Sequence, residues 1–260
     1  MKNFLTIALF TGCVATAFAQ STSTSRQRLH LGIEVAPKFT WMSTPNDNSV
    51  SGVGSAFGVG LGIFTDYYFI AGNENYAFTL GANFVTNEGG TLQYSKVGKV
   101  LEKTQLNDFA SSGTVFNSNT SVTYKNQFVE IPVGIKLRSE EVNGLRFFGN
   151  LPVVTFGIRT QSQGDVVGQY FDGTTFKDIN STNENIGNST ALFNLSVGGG
   201  AGGEYRLGET TTVIGGLYYQ HGLIDQTNAF KRTNGTTGAE ETDNSNAQLS
   251  GLSLRLGIVF

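Results

Sequence analysis

The sequence predicts an all-β fold: an eight-stranded antiparallel up-and-down transmembrane β-barrel with short periplasmic turns and long extracellular loops. Three observations carry this expectation. Eight segments alternate apolar with small or polar residues at a period of two, the connections between them alternate long and short, and the composition is poor in charge. Of 260 residues only 14% are charged, against about 25% in an ordinary soluble domain. Twenty Phe, nine Tyr and 34 Gly take up the difference. That much aromatic surface excludes a disordered chain, and a pI near 5.4 without a basic cluster excludes a nucleic-acid binder. Beyond the N-terminus no run reaches the roughly 20 apolar residues of a membrane helix.

The first segment reads as an address. Met1-Lys2-Asn3 gives a basic start, Phe4 to Phe18 is mostly apolar, and Ala17-Phe18-Ala19 has the small-x-small form of a signal peptidase site. The expected division is therefore a signal peptide over 1–19 and a barrel domain over 20–260. Phe10-Thr11-Gly12-Cys13 competes as a lipoprotein box, with Phe where Leu is usual; the Ala19 site is the better match. Cleavage there removes Cys13, the one cysteine, so disulfides could not staple the exported protein.

The strands follow in order. Successive side chains of a strand face opposite ways, so Leu29, Leu31, Ile33, Val35, Phe39 and Trp41 form one face of the first and His30, Glu34 and Lys38 the other. Phe57 to Ile63 and Tyr76 to Phe84 repeat the pattern against glycine, Thr79 and Asn83. Val129, Ile131, Val133, Ile135 and Leu137 oppose Glu130, Pro132 and Lys136. Leu145 to Arg159 is blurred at Leu151-Pro152, where a bulge is expected. Phe193 to Ala201, Val213 to Tyr219 and Leu252 to Phe260 complete the set. The gaps between these segments are about 13, 6, 26, 6, 30, 3 and 23 residues, the short-turn, long-loop asymmetry of an outer-membrane barrel.

A soluble sandwich or lipocalin-like barrel also alternates, but its inward face is apolar. Here the face opposite the greasy one is Gly, Ser, Thr and Asn with scattered charges, as in a lumen surrounded by lipid. By parity that lumen holds Glu34, Asp66, Glu130 and Glu204 against Lys38, Lys136, Arg138, Arg206 and Arg255. Eight strands enclose only enough space for side chains to fill, so these residues read as a structural polar network and not as an ion path. Glu34 and Arg255, near the start of the first strand and the end of the last, are expected to approach each other. Phe260 has the terminal aromatic of an insertion signal for the outer-membrane assembly machinery.

Other motifs are weaker. Gly198 to Gly203 formally fits G-x-G-x-x-G, but the alternating Glu204-Tyr205-Arg206 follows where a dinucleotide site needs a helix. His30 and His221 fall at opposite barrel ends and cannot share a site, so no catalytic residue, metal site or cofactor is expected. Trp41, Tyr67, Tyr68, Phe69, Tyr76, Tyr94, Tyr218 and Tyr219 fall near strand ends and read as an interfacial girdle.

The strand Phe128-Val129-Glu130-Ile131-Pro132-Val133-Gly134-Ile135-Lys136 resembles the hallmark strand of the PorT-like outer-membrane β-barrel family of Bacteroidetes-type bacteria. The resemblance implies an outer-membrane barrel, and its namesake is an accessory of type IX secretion and gliding machinery. The sequence thus leads to a non-enzymatic surface interaction module, with a secretion accessory as the alternative and a lipid-active enzyme or small passive pore below both. Expected partners are outer-membrane lipid, the assembly machinery and, on the alternative reading, secretion-system proteins; no nucleic acid is expected, and the barrel reads as monomeric. Glu130 and Lys136, six residues apart on one face, each require a partner on another strand, and Pro132 between them reads as the site of irregular pairing.

Overall fold

A computed structural model describes residues 28–260 except 45–48, 71–72, 108–112, 209, 228–229, 234–238 and 244–245. The expected signal peptide with its Ala19 site, Cys13, and the Ala71-Gly72 part of the first short turn lie outside the described residues.

Eight long strands close into a ring. They are β1 (Leu29–Ser43), β2 (Val50–Tyr68), β3 (Tyr76–Tyr94), β5 (Thr120–Arg138), β6 (Leu145–Phe171), β8 (Phe193–Arg206), β9 (Thr212–Gly222) and β12 (Gln248–Val259). Each pairs antiparallel with its neighbours, β1 meeting β12 and β5 meeting β6, so no edge is left open. Closure is what lipid demands, because unpaired backbone groups have no water there to bond. Among the described residues four shorter strands lie outside the ring: β4 (Gly98–Lys99), β7 (Phe176–Asn185), β10 (Phe230–Thr233) and β11 (Glu240–Asp243). β7 extends β6 into an outer hairpin, while β4, β10 and β11 form a small separate sheet.

Several strands run well past the segments legible in the sequence, and β5 shows why. Its outward side chains change from Ser121, Thr123, Lys125 and Gln127 to the largely exposed Val129, Ile131, Ile135 and Leu137. Its inward side chains change in the opposite sense at the same level, from buried Val122, Tyr124 and Phe128 to Glu130 and Lys136. Below Phe128 the wall is greasy outside and polar inside; above it, the reverse. The lower half spans nine residues from Val129 to Leu137, close to the roughly 9–11 that a tilted strand needs to cross the hydrocarbon. The upper half is built like a soluble barrel. Its interior is an apolar cluster of strand residues such as Met42, Leu92, Tyr124 and Leu249 with Leu101, Leu106, Phe116 and Ile186 from the connections, all buried. The long loops therefore fold back to seal the outer end.

Bulges keep the faces in register with this plan. β6 shifts by one residue between Asn150 and Val153, where Leu151-Pro152 interrupts the ladder, and again near Arg159. Its inward set passes from Phe148 and Asn150 to Val153 and Thr155, then returns to Ser162 and Val166. Two parity changes in one strand account for the blurred alternation. Pro132, by contrast, pairs regularly with Thr155, and the irregularity lies beyond it, between Gly134 and Lys136. On the β3 side the ladder passes from Leu80–Val133 to Asn83–Glu130 with no pair at Pro132, so the expected irregularity is an interruption on one flank only.

Candidate functional site

Inside the membrane-spanning half the charged side chains stack in three tiers. In the tier nearest the short turns, Lys136 Nζ lies 2.7 Å from Asp66 Oδ2 and 2.6 Å from Glu204 Oε1, and Arg138 also pairs with Glu204. Thr79 donates to Asp66 at 2.8 Å. In the middle tier Asn83 donates to Glu34 at 2.9 Å, and Arg255 Nη1 stands 3.9 Å from the same carboxylate. In the top tier Lys38 reaches both oxygens of Glu130 at 3.0 Å and also pairs with Glu88. Nearly all these groups are buried. The partners of Glu130 and Lys136 are not on flanking strands but across the lumen: Lys38 on β1 for the former, Asp66 on β2 and Glu204 on β8 for the latter.

The glycine run of β8 makes room for this packing. A Cβ on Gly200 would run into the Tyr218 ring, and one on Gly202 would come within 2.8 Å of Phe148. Glycine lets both rings lie against the wall, where Tyr218 stacks under the Arg255 guanidinium at 4.1 Å and Phe148 under Lys136 Nζ at 4.7 Å. Such cation–π contacts strengthen when desolvated. The G-x-G-x-x-G spacing is therefore a packing track within a strand.

At the short-turn end the lumen opens into a mouth of about 290 Å³ lined by His30, Glu74, Arg138, Glu141, Arg146 and Arg206 among others. Arg206, expected in the lumen network, stands in this mouth half-exposed and pairs with Glu141 at 2.5 Å; it follows the inward parity, but it lies past the lower tier. Arg146 bridges Glu74 at 2.8 Å and Glu141 at 3.3 Å. Burial alone would raise the Glu74 carboxyl; the Arg146 hydrogen bond and the positive charges around it outweigh this and hold it below its ordinary value. His30 packs edge-on against Tyr68, with ring centroids 4.9 Å apart. His221 is far off along the chain of the seventh ring strand, bonded through Nδ1 to Ser250 Oγ at 3.0 Å. Among the described residues no group of three or more His, Cys, Asp or Glu could hold a metal.

Sequence parity missed Glu88. β3 slips by one residue between Val85 and Glu88, and Asn87 takes a positive φ of 55°, so Glu88 turns inward where strict alternation from Phe84 points it out. The signal lay in Asn87-Glu88-Gly89-Gly90, a turn-prone run inside a strand. The girdle needs a matching correction: Tyr68, Tyr94 and Tyr218 are inward and buried, while Tyr67, Phe69, Tyr76 and Tyr219 face outward. Phe260 is exposed, and its N–H donates to the Leu31 carbonyl at 2.8 Å, extending the β1–β12 seam by one residue.

The outer membrane protein beta-barrel domain family matches residues 18–225 of the chain. The chain belongs to this family. As a family member it is an outer-membrane protein, and the apolar belt around its lower half is the surface it presents to lipid. Among solved structures it is similar to the Neisserial surface protein A (NspA), at 10% identity over 89% of this chain and 96% of that one, with a TM-score of 0.39. It is similar also to a major outer membrane protein of Thermus thermophilus, at 15% identity over 90% and 99% of the two chains, with a TM-score of 0.42. OprG of Pseudomonas aeruginosa aligns at 10% identity over 88% and 95%, with a TM-score of 0.40. No curated protein matches by sequence.

Proposed function

We propose that this family member is a non-enzymatic module of the cell surface, a filled anchor that holds a rigid outer platform above the membrane. It is exported by a leader over 1–19 cut after Ala19 and inserted through the Phe260 terminus as a monomer. The observation that carries the reading is the inversion of polarity along β5: strands continue past the membrane edge and enclose their own apolar core, which costs chain length that a mere membrane plug does not need. The β6–β7 hairpin stands on that core, and its tip, with Phe171 and Phe176 paired at 5.4 Å and Asp172 bonded to Lys177, faces outward. The lumen below is occupied by buried ion pairs, which favours an anchor over a pore.

Replacing 169–178 by a short turn tests this reading. Cells carrying the shortened barrel should insert it at normal levels and lose binding to the surface ligands that intact cells retain. Unchanged binding would contradict the reading.

A second reading, a PorT-like accessory of type IX secretion, draws support from the Glu130 to Lys136 strand and from the charged mouth, which opens toward the periplasm. It predicts that deletion of the gene leaves type IX cargo in the periplasm and that re-expression restores export. Normal export would remove it.

A further inference from the structure

Once Glu88 is placed, the tiers can be balanced. Arg255 faces Glu34, and Lys136 with Arg138 face Asp66 with Glu204. Lys38 alone faces two carboxylates, Glu88 and Glu130. The Lys38 side chain is 7% exposed and those of Glu88 and Glu130 are 1% and 4%, so no counter-ion in bulk solvent can neutralise the surplus. An uncompensated buried charge is among the most costly features a fold can carry.

We propose that the Glu88–Lys38–Glu130 triad is a proton-binding site, in which Glu88 holds one proton while the Lys38 ammonium pairs with the Glu130 carboxylate. Bound so, the triad carries one positive and one negative charge. The other side chains around the adjoining space are Thr40 from β1, Asn194 and Ser196 from β8, Gln220 from β9, and Leu249 and Ser250 from β12. None of them titrates, so among the described residues lining that space Lys38 and Glu130 are the charged groups that act on Glu88. The space measures about 10 Å³, close to the minimum for one water and too small for a hydrated ion.

The position gives the proton a consequence. Glu88 sits above Phe84, the last lipid-facing side chain of β3, directly beneath the apolar cluster to which Met42, Phe128 and Leu249 belong. Release leaves a net negative charge under the outer seal, which should loosen there first.

Infrared spectroscopy of the refolded, purified barrel in D2O at about pH 7 tests this. The wild type should show the carbonyl stretch of a protonated carboxylic acid, and Glu88→Gln and Glu130→Gln should each lose it, because either variant leaves one carboxylate to pair with Lys38. A wild-type spectrum without that band would overturn the proposal, as would a band that persists in both variants. Should a variant fail to insert, the wild-type spectrum decides alone: the band must vanish on raising the pH, together with hydrogen-exchange protection in the outer half of β3, and a band that does not titrate overturns the site.

Discussion

Lys136 on β5 and Asp66 on β2 meet at 2.7 Å although β3 lies between their strands. A contact that skips a strand is possible only because an eight-stranded ring is narrow enough for long side chains to cross it. The ion pair therefore ties one wall to another and does not merely decorate one. Glu204 on β8 completes the same junction from a third direction.

Removing the central cation of that junction should be costly. Lys136→Met keeps the stem and leaves Asp66 and Glu204 with Arg138 alone, so the barrel should lose about 3–5 kcal/mol, the usual cost of breaking a buried pair by deleting one partner. Urea unfolding from lipid vesicles measures it. Asp66→Asn added to Lys136→Met should recover part of the loss; a double variant worse than the sum of the singles would contradict the pairing.

The glycines of β8 and β6 offer a contrast. Gly200→Ala drives a methyl into the Tyr218 ring, and Gly149→Ala meets nothing within 4 Å. The first should cost about 1–3 kcal/mol, as overpacking does, and should disturb the Arg255–Tyr218 stack. The second should be near neutral. Equal effects, measured by the same unfolding assay, would show that the run is not a packing track.

In the outer half, Lys125 and Asp165 pair at 2.5 Å on the solvent side of the wall. Burial alone would raise the Asp165 carboxyl, but hydrogen bonds from Lys125 and the Asn183 N–H hold it below its ordinary value. A depressed folded value means that the contribution is complete above the unfolded carboxylate range and fades as pH falls through the folded one. For a partly exposed pair it should not exceed about 1 kcal/mol. Hydrogen exchange along the β6–β7 hairpin should weaken on acidification in the wild type and change less in Asp165→Asn.

Much of this architecture was legible in the residues. The alternation of Leu252 to Phe260 or Val129 to Leu137 fixes both face and register, because nothing but lipid places isoleucine and leucine outward against lysine, arginine and glutamate inward. Glu34 and Arg255 could be matched from strand ends alone, since the first and last strands must close the ring. Where parity changes within a strand the reading stops: Thr86-Asn87 hides Glu88, and Leu151-Pro152 scrambles β6. Outer strand halves such as Thr120 to Phe128 were also missed, because their pattern is that of a soluble sheet and their apolar partners, Leu101, Leu106 and Phe116, come from loops. Which carboxylate meets which cation across the lumen depends on ring diameter and stagger, quantities that no single strand carries.

The membrane edge on β5 can be measured directly. Single cysteines at Thr123, Gln127, Ile131 and Ile135, each spin-labelled in a barrel lacking Cys13, report in turn on contact with water and with lipid. Collision with a water-soluble relaxing agent should dominate at Thr123 and Gln127, and collision with oxygen dissolved in the bilayer at Ile131 and Ile135. A uniform profile along the four positions, in either sense, would contradict the inversion at Phe128 and with it the division into anchor and outer platform.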